Sequence, residues 1–112
     1  MIKKYKIQLL HKDELIEEDT INIIKNNNKI SFIHKDVKNI INNNSYTREN
    51  KEYRFNIDCN NNKSLYLLKE KNIEYDIKVY DSYIEINDNR ITIFYHIETN
   101  EKPIKIILER CD

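Results

Sequence analysis

Three histidines, His11, His34 and His96, are the only side chains whose unperturbed pKa lies near neutrality. Acid–base catalysis or metal binding would need two or three of them, or one with carboxylates, to converge, and no pair has ligand spacing. Each is expected to be solvated or hydrogen-bonded. His96 alternates with Tyr95, so it points to the face opposite Ile91, Ile93 and Ile97. A nucleophilic serine or cysteine usually sits by a glycine turn that lets backbone amides reach an oxyanion, and a phosphate-cradling loop needs backbone without a Cβ in the way. The chain contains no glycine, which excludes P-loop nucleotide hydrolysis and argues against nucleophilic catalysis. Cys59 and Cys111 form no CxxC pair and are expected to be free thiols. The acidic residues Asp13, Glu14, Glu17, Glu18 and Asp19 lack the regular pattern of a cation loop and read as a solvated connection. The chain is therefore expected not to be an enzyme, with no catalytic residue, no metal ligand and no cofactor.

The group with most chemical promise is Tyr46, Arg48, Lys51, Tyr53 and Arg54 around one hairpin, where aromatic faces and guanidinium groups could hold an anion or stack on bases. Strand parity divides it. Tyr53 shares a face with Phe55 and Ile57, which belong to the core, while Arg54 faces the other way. Tyr46 and Arg48 share one face. If that face is interior, Arg48 is a buried cation that needs a carboxylate, a water network or an anionic ligand. Otherwise its stem packs on tyrosines and its head reaches the rim.

These residues must be positioned by strands. Ile (21), Asn (17) and Lys (15) make up nearly half of the 112 residues, Ala is absent and Pro occurs once. Branched and aromatic side chains suit a pleated surface and lose rotamer freedom in helices, so all-β is expected. Apolar residues alternate with polar ones at Ile7 and Leu9, Ile21 and Ile23, Ile30 and Phe32, Tyr53 to Ile57, Ile73 to Val79, Ile84 and Ile86, Ile91 to Ile97, and Ile104 to Leu108. Asn-rich punctuators at 26–28, 49–50, 60–62, 88–89 and 99–103 separate them, with Asn or Asp standing in for glycine at turns. Short turns predict an antiparallel meander of about eight to ten strands, in one domain over residues 1–112, closed as a barrel in preference to a two-layer sandwich. Residues 12–19 and 36–41 fit either a helical turn or a ragged strand.

From about Ser45 to Leu108 the order of features resembles the YwiB-like bacterial family, a domain of unknown function. The features are a strand ending in Arg and a tight turn (Tyr46, Thr47, Arg48, Glu49, Asn50), an alternating strand (Lys51 to Asp58) and a Tyr-led segment around Tyr66. They close with the long strand Ile73 to Val79 and the segment Ile91 to Ile97 with Tyr95. The resemblance implies a calycin-like, lipocalin-like β-barrel, and it carries recurring polar and aromatic positions onto Arg48, Tyr66 and Tyr95.

Lys and Arg total 19 and Asp and Glu total 19, so no net field draws in nucleic acid or an anionic membrane. No apolar run approaches the roughly 20 residues of a spanning helix, and Ile7 to Leu10 is too short for a signal-peptide core. A cytoplasmic location is expected. The expected function is a non-enzymatic binding module for a small apolar or anionic ligand, with Arg48, Arg54, Tyr66 and Tyr95 as candidate contacts. The alternative is a protein–protein interaction subunit, pairing with a partner or a second copy through a strand edge or apolar patch.

Overall fold

The computed structural model describes residues 2–98 and 103–111. The described residues form ten strands: β1 (Ile2–His11), β2 (Glu14–Asn26), β3 (Lys29–His34), β4 (Val37–Asn42), β5 (Ser45–Glu49), β6 (Tyr53–Asp58), β7 (Lys63–Leu68), β8 (Ile73–Ile86), β9 (Arg90–Ile97) and β10 (Ile104–Arg110). Each pairs antiparallel with the next, and β10 returns to pair with β1, which closes the sheet into a barrel. The all-β meander expected from the alternation is thus the fold. Both ambiguous segments are strand: residues 14–19 belong to β2 and 37–41 to β4. The reason is register, because β4 pairs with neighbours on both sides and residues 14–19 of β2 are laddered to β1, which satisfies backbone groups that one helical turn would leave open.

Period-two alternation becomes an inside and an outside. Tyr5, Ile23, Ile41, Ile57, Ile91 and Leu108 are wholly buried inside the barrel, each contributing about 1.5–3 kcal/mol of apolar burial. Two places depart from simple alternation. Ile73 and Tyr75 share parity with buried Val79 yet are 41% and 48% exposed, because this end of β8 is laddered to β7 alone. Farther along, the register with β9 shifts between Tyr80 and Tyr83, Asp81 takes φ 51°, and Asn62 Oδ1 accepts hydrogen bonds from the Ser82 amide (3.0 Å) and hydroxyl (2.6 Å). This bulge joins two alternating runs into one bent strand. Cys59 and Cys111 are free thiols.

The turns show how a glycine-free chain makes hairpins. Lys12 and Asp13 (φ 48° and 65°) and Lys35 and Asp36 (φ 51° and 63°) are two-residue loops with both residues left-handed, the geometry that favours Asn-Gly. Their sequences lack that signal, which is why these two turns were not among the punctuators. Of the segment 99–103, residues 99–102 lie outside the described residues. Asp36 has no hydrogen-bonded or ion-pair role among the described contacts, so Asp36→Gly is expected to raise stability by about 0.5–1 kcal/mol, the relief of a left-handed residue less the extra entropy of glycine in the unfolded chain. A thermal melt reads this as a Tm higher by a few degrees; an unchanged or lower Tm would contradict it.

In a meander, alternate turns fall at opposite ends. The β1–β2, β3–β4, β5–β6 and β7–β8 turns define one end, termed the mouth, and β2–β3, β4–β5, β6–β7 and β8–β9 define the other. Toward the far end Lys25 Nζ lies 5.5 Å from the centre of the buried Tyr5 ring. Eight strands give a barrel just wide enough to be filled by side chains, so ten leave room unless large residues occupy every level.

Candidate functional site

Arg48 stands near the mouth end of β5, inside the barrel. Its cross-strand neighbours are Asn39 on β4 and Phe55 on β6, and the next strand presents Tyr66 opposite Phe55. Tyr46, two residues back on the same face, is fully buried, which settles the interior placement of this face. From the other wall come Tyr95 on β9 and its register partner Ile104 on β10. Arg48, Phe55, Tyr66, Tyr95 and Ile104 border an open pocket of about 320 Å³ whose lining also includes Tyr53, Ile77 and Ile97.

The rings pack closely. Tyr53 and Tyr66 are stacked at 5.6 Å with an interplanar angle of 9°, and Phe55 meets Tyr95 edge-on at 6.0 Å. Tyr46 lies 6.4 Å from Tyr95 and donates its hydroxyl to Asn39 Oδ1, while Asn39 Nδ2 donates to the Val37 carbonyl at 3.0 Å. Burial pushes the Tyr46 phenol far above its ordinary value. Burial likewise raises Tyr95, although Arg48 beside it pulls the other way by charge and hydrogen bond. Both phenols are therefore neutral at any working pH. Burial works against the charge of Arg48, and the upward pull of Tyr46, Tyr95 and Tyr53 on the guanidinium pKa is that of their phenolate forms, absent while the phenols are neutral.

Among the described residues the guanidinium has no counter-ion: Lys6–Glu18, Lys35–Glu17, Lys69–Glu49 and the His34–Asp19 contact all lie elsewhere, and no carboxylate is paired with Arg48. Tyr95 supplies one hydrogen bond, but the Arg48 Nε–H is buried with no acceptor. Neutral phenols can hydrogen-bond a guanidinium but cannot balance its charge. The rim is polar: Lys69 Nζ reaches Glu49 Oε2 and the Asn50 carbonyl, each at 2.8 Å.

Three of the four candidate contacts, Arg48, Tyr66 and Tyr95, meet in this pocket. Arg54 does not join them: it is exposed on the outer face of β6, as its parity with buried Phe55 requires. Lys51 lies in the β5–β6 turn, and the hairpin cluster is therefore not one patch. Tyr53, a member of the hairpin group, lines the pocket too, and Phe55, Ile77, Ile97 and Ile104 complete it; alternation marks them as inward-facing, but only register tells which inward residues share a level. His34 also differs from a solvated imidazole. Its side chain is 11% exposed, with Nε2 3.6 Å from Asp19 Oδ2 and no hydrogen-bond partner. His96 is outward, edge-on to Tyr80 at 6.1 Å.

Larger concavities, about 520 Å³, are open grooves elsewhere, one of them bordered by Ile2, Ile24, Ile33 and Lys38 on the outside. They hold no buried polar group seeking a partner, and the interior pocket, though smaller, does. No protein-family model matches the chain, and no curated protein does.

Proposed function

We propose that the chain is a non-enzymatic binding module, a cytoplasmic barrel of YwiB-like, calycin-like type, which takes a small anionic ligand into its mouth with Arg48 as the anchor. The observation that carries this reading is the interior guanidinium whose Nε–H has no acceptor and whose charge has no carboxylate partner among the described residues. An uncompensated charge inside a fold costs several kcal/mol, and a ligand anion would remove that cost on binding. Tyr66 and Tyr95 give the site aromatic walls with polar handles, and Phe55, Ile77, Ile97 and Ile104 give it an apolar floor. Arg54 plays no part in it.

The test is a native mass spectrum of the protein purified from cell extract, repeated after denaturation. A reproducible small mass that is lost on denaturation, and absent from Arg48→Met purified in the same way, is the expected result. A bare monomer in both states would count against the reading.

A second reading, a protein–protein interaction subunit, draws on a different observation. β3 pairs with β2 only over Ile23–Asn26, so Glu14–Asn22 is laddered on one side alone, to β1. Leu15 and Ile16 on that stretch are exposed, as are Ile2, Ile24 and Ile33 near by in sequence or register. A free edge of this kind can accept a partner strand. A bare dimer in the same spectrum would favour it.

A further inference from the structure

We infer that the ligand of the barrel mouth is a small monocarboxylate with a flat apolar body, an inference that rests on the anion-binding reading and narrows it. Three features of the pocket select this class over a phosphate ester, an inorganic anion or a neutral apolar molecule.

The first is charge count. Among the described residues of the lining Arg48 is the only cation and there is no carboxylate, and the phenols beside it stay neutral. One negative charge balances the site. A phosphate ester at neutral pH carries between one and two, and the excess would enter an apolar enclosure with no second cation to meet it.

The second is donor geometry. A guanidinium meets a carboxylate through two parallel N–H bonds, and the Nε–H together with a neighbouring Nη–H forms one such edge. The unpartnered donor of Arg48 is Nε–H, the atom that a side-on carboxylate needs.

The third is the body of the site. Beyond the guanidinium the lining is carbon-rich: Phe55, Ile77, Ile97 and Ile104, with the parallel rings of Tyr53 and Tyr66. The two rings are stacked on each other and present one aromatic wall, on which a flat partner can pack offset or edge-on, the preferred aromatic geometries. A volume of about 320 Å³ stands at the lower end of the range for small-molecule sites, roughly 300–1,000 Å³. That size suits an aromatic acid better than a long acyl chain.

The experiment is a titration of ¹⁵N-labelled full chain at pH 7.5 with four probes, benzoate, benzyl alcohol, phenyl phosphate and acetate, reading amide shifts and the Kd of each. Benzoate is expected to bind saturably, shifting amides around Arg48, Tyr66, Tyr95 and Ile104, with each of the other probes weaker by about tenfold or more, a difference of about 1.4 kcal/mol. Arg48→Met is expected to lose that preference, binding benzoate and benzyl alcohol alike. Arg48→Lys keeps a charge but not the fork, so it is expected to bind benzoate several-fold more weakly than the parent; it carries the test if the methionine variant does not give a dispersed spectrum. Benzyl alcohol or acetate equalling benzoate, or phenyl phosphate exceeding it, overturns the carboxylate assignment while leaving a mouth site in place. No saturable shift with any probe, in a protein that remains folded, overturns the mouth site itself.

Discussion

Truncating Tyr95 to alanine is expected to destabilise the barrel by about 3–5 kcal/mol, the range for removing a large buried aromatic side chain. Tyr95 is 2% exposed and its ring lies between Tyr46 and Phe55, at 6.4 and 6.0 Å. Its loss would leave a void across one interior level, and the strands are held in register by ladders on both sides of β9, so the wall cannot easily collapse inward. It would also remove the hydrogen bond that Arg48 makes to the phenol. Small domains have total stabilities of about 5–15 kcal/mol, so much of the margin would go. Tyr95→Phe separates the two contributions, keeping the ring and removing only the hydroxyl, with an expected cost of about 1–3 kcal/mol. Urea unfolding followed by circular dichroism reads both. A Tyr95→Ala cost under about 1 kcal/mol would mean that this level of the interior is not close-packed.

Arg48→Met is expected to move stability the other way. In the ligand-free protein the guanidinium forfeits part of its hydration and gains no carboxylate among the described residues in return, whereas methionine has similar length and no charge to bury. A gain of about 1 kcal/mol is the expected balance, after allowing for the Tyr95 hydroxyl left without its partner. For a domain of this size that is a Tm higher by roughly 4 °C or more. With a bound anion the order reverses, since ligand binding stabilises only the form that binds. A residue that lowers the stability of the empty fold and raises that of the filled one has the signature of a binding site rather than of a structural cation. If Arg48→Met instead loses more than about 1 kcal/mol when ligand-free, the guanidinium is held by its phenol neighbours as part of the core.

Much of this fold is legible in the alternation of side chains, and the reasons differ by element. Tyr53, Phe55 and Ile57 alternate with Arg54 and Asn56, and the structure puts the first set inside and Arg54 outside. The same parity put Tyr46 and Arg48 on one face, although it left open whether that face was buried. Where alternation was weak, as over Glu14–Thr20, the strand is specified by its partner β1 rather than by its own pattern. The two type I′-like loops at Lys12–Asp13 and Lys35–Asp36 were illegible because neither carries the Asn-Gly that normally marks the conformation. The exposure of Ile73 and Tyr75 was equally hidden, since it depends on which strands flank β8 at each point along its length.

The site was legible to a lesser degree, for a reason inherent in barrels. Alternation assigns a residue to inside or outside, but a pocket is a set of residues at one level, and level is set by the stagger between strands. Arg48 and Tyr95 are 47 positions apart in sequence, and what brings them together is the successive registers of β5 through β9. Ile104 enters only because it pairs with Tyr95.

The most direct measurement of the central claim is the ¹H–¹⁵N resonance of the Arg48 Nε–H group, identified among the four arginines of the chain by its absence in Arg48→Lys. The account predicts slow exchange with water in the free protein, as befits a buried donor, and a large downfield shift that saturates as benzoate is added, when that donor acquires a charged acceptor. A resonance that exchanges as fast as those of the exposed arginines, or that stays in place at saturating benzoate, would contradict it.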